Sequence, residues 1–212
     1  MPTPSPATST DVRPACPPGS PLDALRQATA SLHERVEAAS PIVLGAPRLE
    51  DYLLHVQAFR QWLRDDVPPA RPTVLAQALP ELPRIDWIDQ DIAELAGRGL
   101  SPTPVAGMHR AGQGAVVPAP VTTTENLWGW CYVQEGSRLG GALLFRTFRS
   151  AFPDPAFRFL QGDGSVPAQR WRDFLALLDA ELGTPAQVRQ ACEGAVAAFA
   201  SLLQRFEQVA AR

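Results

Sequence analysis

The chain has 212 residues, 45% hydrophobic and 19% charged, which suits one domain with a sizeable core. A formal charge of −3, with every basic residue an arginine, argues against a general nucleic-acid binder, and no apolar run approaches the roughly 20 residues of a membrane span. Cys16, Cys131 and Cys192 are far apart and form no CxxC pair, so neither a disulfide framework nor a zinc site is expected. With no apolar signal-peptide stretch at the N-terminus, the expected location is the cytoplasm.

Residues 1–19 are rich in Pro, Ser and Thr and are expected to form a disordered leader ahead of one helical domain over 20–212. The first helix opens at Ser20-Pro21, with Asp23 where a capping-box acid belongs. Leu25, Ala28, Leu32, Val36 and Ala39 give it an apolar stripe. A second helix is expected over 49–66, ending before Pro68-Pro69, with shorter helices around 72–79 and 85–97. Residues 98–121 carry many Gly and Pro without periodicity and read as a long loop.

A long helix then begins near Thr122, with Glu125 as its capping partner, and reaches about Phe148. After a loop at 150–166 come a helix over 167–182 and a final one opened by Thr184, Pro185 and Gln187. No segment alternates as a strand would, so the fold class is all-α.

The long helix contains "GWCYVQEGSRLGG" (129–141). Glycine within a helix costs about 0.8–1 kcal/mol relative to alanine, so Gly136, Gly140 and Gly141 together cost on the order of 2–3 kcal/mol. Close helix–helix packing is one compensation, and a flat ligand lying on bare backbone is another. A transmembrane dimer motif is excluded by Glu135, Arg138, Arg146 and Arg149 nearby.

His33 sits beside the stripe of the first helix, and Glu37 follows one turn later, where its carboxylate can meet Nδ1 and leave Nε2 for a metal. Arg26 and Arg35 share that helix and suit anionic ligand groups. His55 has Phe59 at the equivalent spacing, and His109 lies in the irregular loop, so neither competes well as a ligand.

Together, "LRQATASLHERVE" (25–37), "YVQEGSRLGG" (132–141), "RFLQGDG" (158–164), "RWRDFLALLD" (170–179) and the closing "FASLLQRFEQV" resemble heme oxygenases. The likeness is to the bacterial biliverdin-producing branch associated with bacteriophytochromes. It implies a helical bundle with heme between a proximal and a distal helix. It further implies His33 as axial iron ligand, Glu37 as its hydrogen-bond partner, and Gly136 and Gly140, with Gly141, beside the porphyrin. Arg26 and Arg172 fall at propionate-binding positions, and Phe199 falls where relatives place an aromatic near the pocket. Ser137 stands where many relatives carry an aspartate that holds distal water, and Ala176 where some carry a second basic contact.

The implied reaction uses heme b as both cofactor and substrate: O2 and external electrons open the ring at a meso carbon, releasing iron, carbon monoxide and biliverdin. No flavin, nicotinamide or iron–sulfur motif is present, so a ferredoxin- or flavodoxin-type protein or a small reductant is the implied donor. A bacteriophytochrome is the implied biliverdin acceptor. The alternatives are a heme carrier or sensor of the same fold, favoured by Ser137, a thiaminase-like enzyme using Cys131 or Cys192, and an interaction scaffold.

Overall fold

The computed structural model describes residues 19–42, 46–100 and 123–211, and among them all regular structure is helical. The helices are α1 (Pro21–Ala39), α2 (Leu49–Gln61), α3 (Thr73–Ala78), α4 (Arg84–Gly97), α5 (Thr124–Ala151), α6 (Arg158–Gln161), α7 (Pro167–Glu181) and α8 (Pro185–Ala210). The expected leader, all but its last residue, and the expected 98–121 loop after Leu100 lie outside the described residues. No described helix is long and apolar enough to cross a membrane.

The helix ends follow their capping chemistry. Ser20 Oγ accepts from Asp23 N at the start of α1, and Thr184 and Gln187 form a reciprocal capping box on α8. The cap of α5 is Thr123, whose side chain accepts from Asn126 N, one residue beyond the expected Thr122–Glu125 pair. That helix also continues to Ala151, past the expected Phe148.

Two further expectations need correction. Ala28 of the expected stripe is exposed, while Leu25 of that stripe is buried along with Ala24 and Thr29. The expected loop at 150–166 contains α6. It follows Phe157, a buried residue held at φ 51, a left-handed conformation that is unfavourable for a bulky side chain. The buried Asp91 carboxylate accepts from Arg158 N and Phe159 N, both at 2.9 Å, and from Tyr52 Oη at 2.6 Å. Three donors on one carboxylate satisfy the start of α6 and offset the strain at Phe157.

Helix α8 is buried along most of its length, from Val188 to Val209, and both α1 and α5 pack against it. Its small residues face α5 at a close crossing. A Cβ on Gly129 would lie 2.0 Å from Ala191 O, and one on Gly194 would lie 2.1 Å from Asn126 O. No side chain fits there, so the two backbones touch. Asn126 Nδ2 donates to Gln190 O at 2.7 Å across the same contact.

After α2 the chain makes a π-helical turn, Trp62–Asp66. The extra residue in the turn re-aims the side chains that follow. Trp62 Nε1 donates to Ser201 Oγ at 2.9 Å, and Arg205 forks onto Asp66 with two 2.7 Å bonds.

His55 is buried on α2, stacked on Phe206 at 5.3 Å, with Nδ1 3.3 Å from Ser40 Oγ. Burial, aided by the Arg84 charge, lowers its pKa to about 3. The unfolded chain takes up this proton near pH 6.5 and the folded protein does not until about pH 3. Stability is therefore lost as pH falls through that window. Between pH 7 and 4.5, wild type should lose about 2 kcal/mol more unfolding free energy than His55→Gln, measured by urea denaturation.

Candidate active site

The face of α5 that carries Tyr132, Gly136 and Gly140 repeats every fourth residue. Tyr132 anchors it. The side chain is buried, its ring lies 5.7 Å from Trp171 of α7, and its phenol is influenced by Thr29 and Arg26 of α1. Burial pushes the phenol pKa up, against the lowering effects of the Thr29 hydroxyl and Arg26 charge. Thus α1 and α5 meet at Thr29 and Tyr132.

The three glycines beyond this contact differ in their surroundings. A Cβ on Gly136 would touch the Trp171 ring at 3.7 Å, ordinary van der Waals contact. On Gly140 it would meet nothing within 4 Å, and on Gly141 it would reach Leu160 of α6 at 3.9 Å. None of the three makes the backbone contact seen at Gly129 and Gly194. The packing compensation considered for Gly136, Gly140 and Gly141 operates instead at Gly129 and Gly194.

His33 stands one turn beyond Thr29 on α1, with its side chain 55% exposed. Its ring meets Phe199 edge-to-face at 5.5 Å, and Nδ1 lies 3.5 Å from Glu37 Oε1. Phe199 is buried on α8, so the imidazole is braced from the core side and open on the other. Arg26 and Arg172 are exposed and make no ion pair among the described residues. Arg172 donates to Gln169 Oε1, while Arg35 lies 3.8 Å from Glu207.

Ser137 is held by a residue that sequence reasoning missed. Its Oγ donates to Gln134 O at 2.8 Å and accepts from Arg84 Nη2 at 3.0 Å, while Arg84 Nη1 donates to Gln134 O at 3.2 Å. The Arg84 guanidinium carbon lies 5.0 Å from the Phe159 ring centroid and 5.7 Å from that of Phe59. Burial lowers its pKa to about 10, partly opposed by Glu135, so it stays charged at neutral pH. Arg84 opens α4, some fifty residues before Ser137, and no local pattern marks their meeting.

Glu135 and Arg138, charged residues of the glycine-rich segment, are ion-paired and not on the surface. Glu135 is buried against Arg71 and Arg170, and Arg138 is nine-tenths buried beside Asp163. The Cys131 thiol is pushed up to about 11 by burial, opposed by Arg71, which removes the thiolate a thiaminase-like reaction needs. Cys192 is half-buried, His55 is in the core, and His109 lies outside the described residues.

The glycines can be separated by stability measurements on the ligand-free protein. Gly140→Ala should raise unfolding free energy by about 0.5–1 kcal/mol, because alanine is the better helix former and space is free. Gly194→Ala should lower it by about 3 kcal/mol or more, because neither backbone can give way. Urea midpoints of the two variants should move in opposite directions.

Comparison with known proteins identifies the family. The family model described as heme oxygenase matches residues 22–208. Heme oxygenase PigA of Pseudomonas aeruginosa is 31% identical over 169 residues, covering 79% of this chain and 81% of that protein. A heme oxygenase of Xanthomonas campestris pv. campestris is 38% identical over 88 residues, covering 41% of this chain and 53% of its own length. A match that runs from the start of α1 to the end of α8 takes in every helix described, and the chain belongs to the heme oxygenase family.

Proposed function

We propose that this chain is a heme oxygenase whose substrate lies against His33 of α1 on one side and the Gly136–Gly140 face of α5 on the other. The enzyme degrades heme to biliverdin and depends on a reductant. The observation that carries the site assignment is the bare backbone at Gly140, where a Cβ would meet nothing within 4 Å. A helix that accepts about 1 kcal/mol for such a glycine, with no packing in return, needs another reason for it. A flat macrocycle resting on the backbone supplies one.

The remaining residues fit the same occupant. His33 presents an exposed imidazole with Nδ1 toward Glu37, which leaves Nε2 for iron. A neutral histidine ligand suits oxygenation of the ring, whereas a thiolate would favour O–O cleavage. Phe199 and Trp171 add aromatic walls, and Gly141 extends the small-residue segment toward Leu160. Exposed Arg26 and Arg172 are cations free to meet the propionates.

Ser137 is assigned to the distal side as an orienting group. With its hydroxyl on Gln134 O and its lone pair on Arg84, it keeps the helix carbonyl and the guanidinium in register beside the glycines. We assign heme b as the macrocycle, serving as cofactor and substrate together. A ferredoxin- or flavodoxin-type protein or a small reductant supplies electrons, and a bacteriophytochrome accepts the biliverdin.

The test is reconstitution with hemin, followed by ascorbate or a ferredoxin system under air. Loss of the Soret band with growth of a biliverdin spectrum is expected; a heme spectrum that persists through repeated reduction would instead identify a carrier. His33→Ala should abolish both the imidazole-ligated spectrum and turnover, with added imidazole restoring the spectrum. An unchanged spectrum in that variant would falsify the ligand assignment. Gly140→Leu should retain its circular dichroism but lose hemin binding, and normal turnover there would remove the role given to the bare backbone.

A further inference from the structure

We propose that Asp91 is a positioning residue for the glycine-rich side of the site: it holds α6 in place, and α6 in turn sets Ser137 and the Gly140–Gly141 turn of α5. Its effect on turnover rests on the oxygenase reading; the linkage itself is a property of the ligand-free chain.

Asp91 follows Arg84 by seven residues in α4, two helical turns, so the two share a face. That face grips α6 at two points. The Asp91 carboxylate takes the backbone N–H groups of Arg158 and Phe159, and the Arg84 guanidinium carbon lies 5.0 Å from the Phe159 ring centroid. Arg158 adds a tie of its own, donating from Nη1 to Glu94 Oε2 at 2.6 Å. Tyr52 Oη donates to Asp91 from α2, and burial together with the Asp91 charge raises the phenol pKa, so it stays a donor.

Two contacts carry the position of α6 onto α5, on either side of Gly140. Phe159 backs the guanidinium whose Nη2 donates to Ser137 Oγ at 3.0 Å. Leu160 backs Gly141, where a Cβ would lie 3.9 Å from both its carbonyl oxygen and its Cδ2. Ser137 stands three residues before Gly140 and Gly141 directly after it, so the bare turn is bracketed by groups that α6 supports.

Backbone strain marks this placement as imposed. Phe157 enters α6 at φ 51, a conformation that a bulky residue keeps only where its surroundings over-determine it. Its ring packs on Tyr52 at 5.0 Å and on Phe148 of α5 at 5.4 Å, so the strained residue joins α2, α5 and α6 at one point. Loss of the Asp91 bonds would let this strain relax and draw α6 away from Arg84 and Gly141. His33 and Arg26 on α1 and Arg172 on α7 would keep their places.

Asp91→Asn tests the link, because its amide would set N–H groups against the donors of α6. Ser201→Ala, which removes the partner of Trp62 Nε1 away from α6, is the control for lost stability alone. In the heme-free full chain, hydrogen exchange over 138–146 should quicken about tenfold relative to 124–133 in Asp91→Asn, and keep the wild-type ratio in Ser201→Ala. After hemin loading, the pH midpoint of the acid–alkaline change in the ferric spectrum should rise by about half a unit in Asp91→Asn, because Arg84 no longer favours negative charge beside Ser137. Hemin affinity should stay within about threefold of wild type while kcat falls about tenfold, since the groups on α1 and α7 are untouched. Phe159→Leu leaves the Asp91 bonds whole; it should quicken the same exchange and raise the same midpoint, and it serves if Asp91→Asn does not fold. A wild-type chain that forms no hemin complex would remove the oxygenase reading and leave the exchange ratio to decide the linkage. An unchanged ratio in the folded variants, an equal change in Ser201→Ala, or an unmoved midpoint and kcat after loading would overturn the proposal.

Discussion

The backbone contact between α5 and α8 at Gly129 and Gly194 is the constraint on which the rest of the molecule depends. With would-be Cβ atoms only 2.0 and 2.1 Å from the facing carbonyl oxygens, the contact tolerates no side chain and little translation. It therefore fixes where α5 stands against the central helix. Because α1 packs on that same helix, the Thr29–Tyr132 meeting and the open face at Gly140 follow from one frame. Rigidity at the crossing lets the neighbouring turns stay bare. A helix with Gly136, Gly140 and Gly141 in succession has a weakened intrinsic preference to stay helical, and firm anchorage on its N-terminal side offsets that weakness.

Charge supplies a second anchor on the far side of the same helix. Glu135 is buried among Arg71, Arg138 and Arg170, and these attractions hold its carboxyl below its usual pKa despite the cost of burial. A buried ion cluster of this kind is not an economical source of stability, since desolvation offsets most of the attraction. Its value is positional. Arg71 reaches α5 from the segment before α3, and Arg170 from α7, so the carboxylate ties separate elements to one turn of α5. Arg84 adds a third tie at Ser137, directly beside the glycines. One helix thus carries a polar, cross-linked side and a smooth, sparsely covered side.

Much of this fold was legible in the sequence, and the reasons are local. Ser20, Thr184 and Gln187 announce helix starts because capping acts over three residues, and the apolar spacing of α2, α7 and α8 follows from the helical period. The one-residue displacement of the α5 cap arose because Thr122 and Thr123 each stand three residues before a polar residue, Glu125 and Asn126. Helix α6 was missed because four residues give no periodicity, and it is held by Asp91 from a distant helix. In the candidate site, the nearness of His33 to Glu37 and the glycine run could be read from spacing along single helices. Arg84, the buried state of Glu135, and the packing pair Gly129–Gly194 could not, because each is defined by elements brought together only on folding.

The orientation of the His33 ring illustrates which contact governs when two are available. Glu37 is the partner that sequence spacing suggests, but its carboxylate is 69% exposed and 3.5 Å from Nδ1. An exposed i,i+4 pair of this geometry contributes only about 0.3–0.5 kcal/mol and is screened by salt. The edge-to-face contact with Phe199 is worth about 0.5–1.5 kcal/mol beyond the area it buries, and it comes from a ring already fixed in the core. Phe199 therefore sets the plane of the imidazole, with the Glu37 carboxylate beside Nδ1. The governing contact comes from α8, the same helix whose glycine contact locates α5.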